Sequence, residues 1–294
     1  MHLPPTALVA VVIVAAFASS CRSPAEEPAA ACAPRAVDPA DAQILRSGGQ
    51  ERRYLLAIPD AAPEPAGLPL VVSLHGHGSS AAEHEANTSL AARGHERGFV
   101  VATPDGLGNP RRWNFDRRAD GPDDDAFVGE LVDVLVDRVC VDPDRVYVAG
   151  SSNGAAFAGL LACAGSVDVA AVAMVIATVP PTCPDDVRPS VLTIRGTADT
   201  TVPYDGTPDM VAAWAEHDGC PDPPREDEPH PGVTRTTYDG CADGGQVILA
   251  TVAGGIHAWP GGSRADRPGN SEAGIAYSAT DEVLSFFADV GPTS

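Results

Sequence analysis

The chain has 294 residues, 44% of them hydrophobic, and a formal net charge of −21 at pH 7. Beyond an amino-terminal leader, about 250 residues remain, which suits one large domain with a substantial core. All 19 basic side chains are arginine, and so acidic a surface repels phosphate backbones, which argues against nucleic acid as a partner.

The first residues have the pattern of an export signal. An apolar run over 7–18 is too short to span a bilayer comfortably, and it leads into small residues before Cys21. We therefore predict a signal peptide over 1–21. The residues before Cys21 are similar to a bacterial lipobox, which predicts lipidation of Cys21 and a membrane tether. Free secretion after cleavage nearby is the alternative, and both routes place the protein outside the cytoplasm.

Residues 22–42 are rich in proline, alanine and acidic side chains, which predicts a flexible tether. One α/β domain is expected over 43–294. Its predicted strands cover 51–58, 70–74, 99–102, 169–176, 191–194 and 246–252. Its predicted helices cover 81–97, 124–139, 207–218 and 279–289. Strands that alternate with helices indicate a mostly parallel central sheet with helices on both faces.

The stretch at 146–154 reads Val-Tyr-Val-Ala-Gly-Ser-Ser-Asn-Gly, and small residues that favour a helix follow it. A strand, a Gly-x-Ser-x-Gly turn and a helix are the context of a nucleophile elbow. The turn is tight, so the residues two before and two after the serine must be small, as Gly150 and Gly154 are. Ser152 is the predicted nucleophile, and the predicted fold is the α/β-hydrolase fold without a separate large lid domain.

A serine hydroxyl needs a base to take its proton, and the base needs a carboxylate to orient it. In this fold the acid and then the histidine follow the serine along the chain. Asp199 comes just after the strand predicted at 191–194, and Asp205 is its nearest rival. His257 lies in a glycine-rich loop after the last predicted strand, and it is the predicted general base.

The loop after the strand at 70–74 reads His75-Gly76-His77-Gly78. The backbone N–H groups of His77 (or Gly76) and of Asn153 are the predicted oxyanion-hole donors. For the His75 side chain, bracing of this loop is the alternative to a catalytic role.

Five residues next to these loops are candidates for a substrate pocket. They are His75, Gly76, Trp113, Asn114 and Trp259. For the two tryptophans, simple core packing is the alternative.

With Cys21 set aside, the seven cysteines leave an even set of six, as a disulfide framework in an exported protein requires. Proximity along the chain favours the pairs Cys163–Cys183 and Cys220–Cys241, which leaves Cys32–Cys140. No cysteine or histidine cluster has the spacing of a metal site, so neither a metal nor a cofactor is predicted.

Together these pieces resemble the polyhydroxybutyrate depolymerase, feruloyl esterase and acetyl xylan esterase group of secreted α/β-hydrolases. The resemblance runs from about residue 51 to 288. Its motifs are His75-Gly76, Pro104-Asp105-Gly106, Trp113-Asn114, Asp123-Asp124 with Phe127, 141–147, 150–154, 161–163, 199–204, Trp214 with Gly219-Cys220, and 257–260.

This resemblance implies an exported serine carboxylic ester hydrolase with an acyl-enzyme intermediate and with Ser152, Asp199 and His257 in the triad positions. Its expected substrates are short hydroxyalkanoate, feruloyl or acetyl esters. Two alternatives remain open at this point: a serine peptidase of the same fold, and a non-catalytic surface binding protein on a hydrolase scaffold.

Overall fold

A mixed sheet runs through the described part of the chain, which in this computed structural model comprises His2 and residues 42–60 and 67–291. Its ten strands are β1 (Gln43–Ser47), β2 (Gln50–Ala57), β3 (Leu68–Leu74), β4 (Val100–Pro104), β5 (Val141–Ser151), β6 (Ala171–Val175), β7 (Ser190–Gly196), β8 (Arg225–His230), β9 (Val233–Tyr238) and β10 (Val247–Val252). The predicted signal peptide and tether lie outside these residues, apart from His2 and Ala42.

The strand order is β1-β2-β4-β3-β5-β6-β7-β10-β9-β8. The central strands from β4 to β10 pair in parallel, and the strands at both edges pair in antiparallel. Helices connect most of the parallel central strands and cover both faces of the sheet, which buries nearly continuous apolar runs.

Seven α-helices cover the sheet in the described residues. They are α1 (Ala81–Thr88), α2 (Leu90–Glu96), α3 (Asp124–Val139), α4 (Asn153–Ala164), α5 (Thr207–His217), α6 (Glu272–Ala276) and α7 (Ala279–Asp289). Helices α3, α4 and α5 pack on one face, and α2, α6 and α7 pack on the other. No separate lid domain occurs between residues 67 and 291.

The two cores alternate along each central strand. In β3, Leu70 and Val72 belong to the core under α3 and α4, whereas Val71 belongs to the opposite core. All three are 0% exposed, because successive side chains of a strand point to opposite faces.

The predicted helix over 81–97 is two helices. Ser89 adopts a left-handed conformation with φ 55°, and its N–H donates to the Glu85 carbonyl, which ends α1. Helix α2 starts at the next residue. The sequence shows no break here because serine is compatible with a helix and no proline or glycine marks the position.

Four elements were not predicted: β1, β8, β9 and α6. Strand β8 reads Arg-Glu-Asp-Glu-Pro-His, which has neither alternation nor apolar content. It forms because it can pair with β9 at the edge of the sheet, where charged side chains and proline are tolerated. Tertiary pairing therefore overrides a weak local preference.

Candidate active site

Ser152 lies in a sharp turn between β5 and α4, with φ 54° and ψ −117°. The Ser152 N–H donates to the Val175 carbonyl of β6 at 3.0 Å, which supports this uncommon conformation. A Cβ at Gly150 would overlap the Gly154 carbonyl, and a Cβ at Gly154 would overlap the Leu74 carbonyl. Glycine is therefore required at both positions, for the steric reason inferred from the motif.

Three polar side chains meet at the carboxyl edge of the central sheet. The Ser152 hydroxyl donates to Nε2 of His257 at 3.0 Å, and Nδ1–H of His257 donates to Oδ2 of Asp199 at 2.7 Å. Because the carboxylate can only accept, it favours the tautomer whose Nε2 lone pair faces Ser152. Chemically, this arrangement can take a proton from an attacking hydroxyl.

The Asp199 side chain is completely buried. Its second oxygen, Oδ1, accepts the N–H groups of Thr201 and Val202 at 2.9 Å each. Asp205, the rival candidate, is exposed, and the carboxylate that reaches His257 belongs to Asp199. The backbone bonds hold Oδ2 in the direction of the imidazole.

The loops that follow β7 and β10 are joined to each other. These two strands are parallel neighbours, so their carboxyl ends lie side by side. The Thr197 N–H donates to the Val252 carbonyl at 3.0 Å, and the Ala198 N–H donates to the Gly255 carbonyl at 2.9 Å. The loop that carries Asp199 and the loop that carries His257 are therefore held together by backbone hydrogen bonds.

Asn270 supports the histidine loop and was not singled out from the sequence. Its Oδ1 accepts the Ile256 N–H at 3.2 Å, and its Nδ2 donates to the Ala265 carbonyl at 2.8 Å. An asparagine between glycine and serine has the composition of any turn, so no local signal distinguishes it.

The amide groups predicted for an oxyanion hole belong to the loop after β3 and to the first residue of α4. Asn153 is the first residue of α4, so its N–H has no partner within the helix. A Cβ at Gly76 would lie 3.5 Å from the Cβ of Ser152. The N–H groups of Gly76, His77 and Asn153 donate to no other described residue. These three N–H groups are therefore unpaired within the described residues.

His75 braces the loop that carries Gly76 and His77. Its Nε2 accepts the Gly106 N–H at 2.9 Å, so its proton lies on Nδ1, which donates to the Gly76 carbonyl at 2.8 Å. Burial lowers the pKa of His75, which favours the neutral imidazole that this bonding pattern requires. The contacts support the bracing alternative, since His75 is 0% exposed.

The side chain of Asn153 holds the backbone of Trp113 at two points. Oδ1 accepts the Trp113 N–H at 2.7 Å, and Nδ2 donates to the Trp113 carbonyl at 3.1 Å. The Trp113 indole N–H donates in turn to the His75 carbonyl at 2.9 Å. The residue after Ser152 therefore ties together the two loops that border the turn.

Trp113 and Trp259, which were predicted to line a substrate pocket, are both buried. Their exposed fractions are 0% and 2%. Trp113 stacks on Phe157 with the ring centroids 5.4 Å apart, and Trp259 donates its indole N–H to the Thr280 hydroxyl at 3.0 Å. Each ring buries its apolar area and satisfies its only donor internally, and these contacts favour the core-packing alternative.

Two more pocket candidates also face protein. Asn114 donates through Nδ2 to the carbonyls of Arg118 and Pro122, which holds its own loop closed. His75 is buried as described. Of the five candidates, Gly76 is the residue that lies directly against Ser152.

A buried ion pair supports the same loop. Arg52 in β2 binds Oδ1 of Asp124 at 2.7 Å, and Oδ2 of Asp124 accepts the Asn114 N–H at 2.8 Å. The guanidinium also lies 3.8 Å above the centre of the Phe127 ring. Because both charged side chains are almost fully buried, removal of one partner costs about 3–5 kcal/mol.

Disulfide bonds join Cys163 to Cys183 and Cys220 to Cys241. These are the two pairs that chain proximity favours. Cys32, the partner predicted for Cys140, lies outside the described residues, and so does Cys21.

Every helix in the described ranges is too short or too polar to cross a bilayer. The same ranges contain no group of three histidine, cysteine or acidic side chains arranged to bind a metal ion. A cavity of about 750 Å³ lies near the amino ends of β6, β7 and β10. It is bordered by none of Ser152, Asp199 and His257, so it is separate from the site described above.

Comparisons with known proteins place this chain in a family. Residues 53–189 match the family model described as esterase PHB depolymerase. NocK of Nocardia uniformis subsp. tsuyamanensis, named as an esterase, is 34% identical over 274 residues, which are 81% of this chain and 77% of that protein. Feruloyl esterase B of Piromyces equi is 27% identical over 237 residues, which are 70% of this chain and 42% of that protein.

Solved structures share the fold. An acetyl xylan esterase from Aspergillus awamori matches 84% of this chain and 99% of its own with a TM-score of 0.63 at 15% identity. Propionate-bound Est2 of Thermogutta terrifontis matches 87% of this chain and 97% of its own with a TM-score of 0.59 at 17% identity. The fold is the α/β-hydrolase fold, as predicted.

The fold and the relatives together define a carboxylic ester hydrolase. The chain belongs to the esterase PHB depolymerase family.

Proposed function

We propose that this protein is an exported serine esterase in which Ser152 is the nucleophile, His257 the general base and Asp199 the orienting acid. The observation that carries the proposal is the unbroken chain of two hydrogen bonds, 3.0 Å from Ser152 to His257 and 2.7 Å from His257 to Asp199.

Acylation begins when the Ser152 oxygen attacks the ester carbonyl carbon. His257 Nε2 takes the hydroxyl proton as the new C–O bond forms. The resulting imidazolium is stabilised by the Asp199 carboxylate. His257 then gives the proton to the leaving alcohol as the ester C–O bond breaks, which leaves an acyl group on Ser152.

Deacylation repeats the steps with water. His257 takes a proton from the water as its oxygen attacks the acyl carbon, and it returns that proton to Ser152 when the acid leaves. In both tetrahedral intermediates the oxyanion accepts hydrogen bonds from the Asn153 N–H and from the N–H of His77 (or Gly76). Each preorganised donor lowers the barrier by roughly 3 kcal/mol.

We propose short hydroxyalkanoate, feruloyl or acetyl esters as substrates. Three relatives support this: the feruloyl esterase of Piromyces equi, a bifunctional acetylxylan esterase/xylanase of Neocallimastix patriciarum and poly(3-hydroxyalkanoate) depolymerase C of Paucimonas lemoignei. Assays with methyl ferulate, acetylated xylan and hydroxybutyrate oligomers rank the feruloyl, acetyl and hydroxyalkanoate classes directly.

Replacement of the nucleophile tests the mechanism. Ser152→Ala removes the attacking oxygen and is expected to lower kcat for p-nitrophenyl butyrate by at least about 10⁴-fold, with an unchanged melting temperature. Ser285→Ala, which changes an exposed serine in α7, is the matched control and keeps full activity. Normal turnover by folded Ser152→Ala would refute the assignment of Ser152.

Labelling with a fluorophosphonate probe separates the alternatives. A non-catalytic binding protein does not react, whereas an activated serine does, and Ser152→Ala abolishes its labelling. A serine peptidase of this fold would also be labelled, so hydrolysis of peptide and ester substrates with the same acyl group is compared. Faster cleavage of the peptide would favour the peptidase.

We also propose that residues 1–21 are an export signal and that Cys21 is lipidated. The disulfides Cys163–Cys183 and Cys220–Cys241 support an oxidising compartment outside the cytoplasm. Expression of the full chain in a bacterium should place wild-type protein in the membrane fraction with a lipid-modified Cys21. Cys21→Ser should move the activity to the soluble exported fraction, and an unmodified Cys21 in soluble wild-type protein would favour free secretion.

A further inference from the structure

A second buried charge, Arg195, lies next to the proposed triad, and no step of the mechanism uses it. Arg195 is in β7, four residues before Asp199, and it is 0% exposed. Its Nη2 donates to the carbonyls of Val202 at 2.7 Å and Pro203 at 2.9 Å. Its Nε and Nη1 have no hydrogen-bond partner among the described residues. Carbonyl groups do not neutralise a guanidinium, so this cation needs a negative charge nearby.

The segment from Asp199 to Pro203 is held from two sides. The Asp199 carboxylate accepts the N–H groups of Thr201 and Val202. The Arg195 guanidinium binds the carbonyls of Val202 and Pro203. The peptide unit at Val202 therefore lies between the two charges, which fixes the carboxylate and the guanidinium relative to each other.

Asp199 is the acidic group that acts on Arg195. The Asp199 carboxylate and the Tyr204 phenol both raise the pKa of Arg195. The Tyr204 hydroxyl is hydrogen-bonded to Thr251 at 2.8 Å, and a phenol carries no charge at neutral pH. The neighbouring strand β10 places Thr251 opposite Arg195, and threonine does not titrate.

Burial and charge act on Arg195 in opposite directions. Burial lowers the pKa of Arg195, and the nearby Asp199 charge raises it. Arginine stays protonated through the pH range in which enzymes work, so a buried cation and a buried anion face the same short segment.

We propose that Arg195 is the counterion of Asp199 in the resting enzyme and thereby a positioning residue for His257; the proposal rests on the triad proposed above. Without Arg195, no positive charge would balance the buried Asp199 carboxylate while His257 is neutral. Because Arg195 supplies that positive charge, the His257 imidazole does not have to be protonated to balance Asp199. Neutral His257 is the form that can accept the Ser152 proton.

The test separates charge from hydrogen bonding at position 195. Arg195→Gln removes the charge and keeps an amide donor for the loop carbonyls, whereas Arg195→Lys keeps the charge. The measurement is the pH profile of kcat/KM for p-nitrophenyl butyrate. Its acid limb is the range on the acidic side in which kcat/KM falls as the pH is lowered. We expect the limb of Arg195→Gln to move to higher pH by about one unit and the limb of Arg195→Lys to remain at its wild-type position. An active Arg195→Gln enzyme with the wild-type limb overturns the proposal, whatever its melting temperature.

Arg52→Gln is the matched control. Arg52 is the other arginine among the described residues that is almost fully buried, and β2 lies five strands from β7 in the sheet. This variant should lose stability while its acid limb stays in place. An equal limb shift in Arg52→Gln would mean that the shift reports a loosened fold, and it would overturn the counterion role.

Asp199→Asn tests the same pairing when Arg195→Gln does not fold. This change leaves the Arg195 guanidinium without its counter-charge, so the variant should melt below both wild type and His257→Ala. An Asp199→Asn protein as stable as wild type overturns the proposal. Normal activity in Ser152→Ala would instead remove the triad itself, so the two failures are distinguishable.

Discussion

His84 is a buried base that the fold keeps neutral. It is 4% exposed, its Nε2 is hydrogen-bonded to the Ser73 hydroxyl at 3.1 Å, and its ring meets Trp259 edge-on. Burial lowers the pKa of His84 to about 3, and the nearby His75 contributes to the shift. In the unfolded chain the same side chain titrates near its ordinary pKa of about 6.5.

Between pH 6.5 and 3 the unfolded state therefore binds a proton at His84 that the native state does not. The unfolded state binds more protons, so stability rises with pH and is lost as the pH falls through this window. We expect His84→Gln to lose less stability on acidification from pH 7 to pH 4, by roughly 3 kcal/mol, measured by urea unfolding at both pH values.

His230→Gln is the control for this prediction, because His230 lies at a partly exposed site. Its unfolding free energy should fall with pH as in wild type. An identical acid loss in His84→Gln and wild type would contradict the penalty assigned to His84.

At the scale of elements, Ser89 separates two helices that the sequence presents as one. It is exposed and left-handed, with φ 55° and ψ 26°. Left-handed backbone costs a residue with a Cβ about 1 kcal/mol or more, and glycine avoids this cost. Ser89→Gly is therefore expected to raise the unfolding free energy by about 0.5–1 kcal/mol, measured by denaturant unfolding.

Ser285→Gly is the matched control for the helix break. Ser285 is exposed in the interior of α7, where glycine lowers stability by about 1 kcal/mol. Opposite signs for the two serine-to-glycine changes would establish the left-handed end of α1. A loss of stability in both variants would contradict it.

The elements with strong periodicity were predictable. Helix α3 spans Asp124–Val139 as predicted, because an Asp123 cap, an acidic first turn and a continuous apolar stripe all favour the same limits. The buried central strands were recognised from their apolar runs. Strand β8 and helix α6 were missed, because their formation depends on neighbours that are distant in sequence.

At the scale of the whole molecule, the strand order brings the site together. Ser152, Asp199 and His257 follow β5, β7 and β10, and the serine and histidine are 105 positions apart. These three strands are joined by parallel pairs, so their carboxyl ends lie at one edge. The antiparallel hairpin of β8 and β9 adds to the far side of β10 and leaves that edge unchanged.

The net charge of the whole molecule bears on its partners. That the charge of −21 excludes nucleic acid as a partner stays a prediction.

The sequence by itself determined which residue types stand at the ends of the central strands. Gly-x-Ser-x-Gly between a strand and a helix has few conformations open to it, so Ser152 could be predicted as the nucleophile from local sequence, and the expected order of acid and histidine followed from the fold. Only the tertiary structure decided which side chains are covered. It buried Trp113 and Trp259 in the core and placed Arg195 beside the Asp199 loop, because burial and charge pairing depend on contacts between segments far apart in the chain.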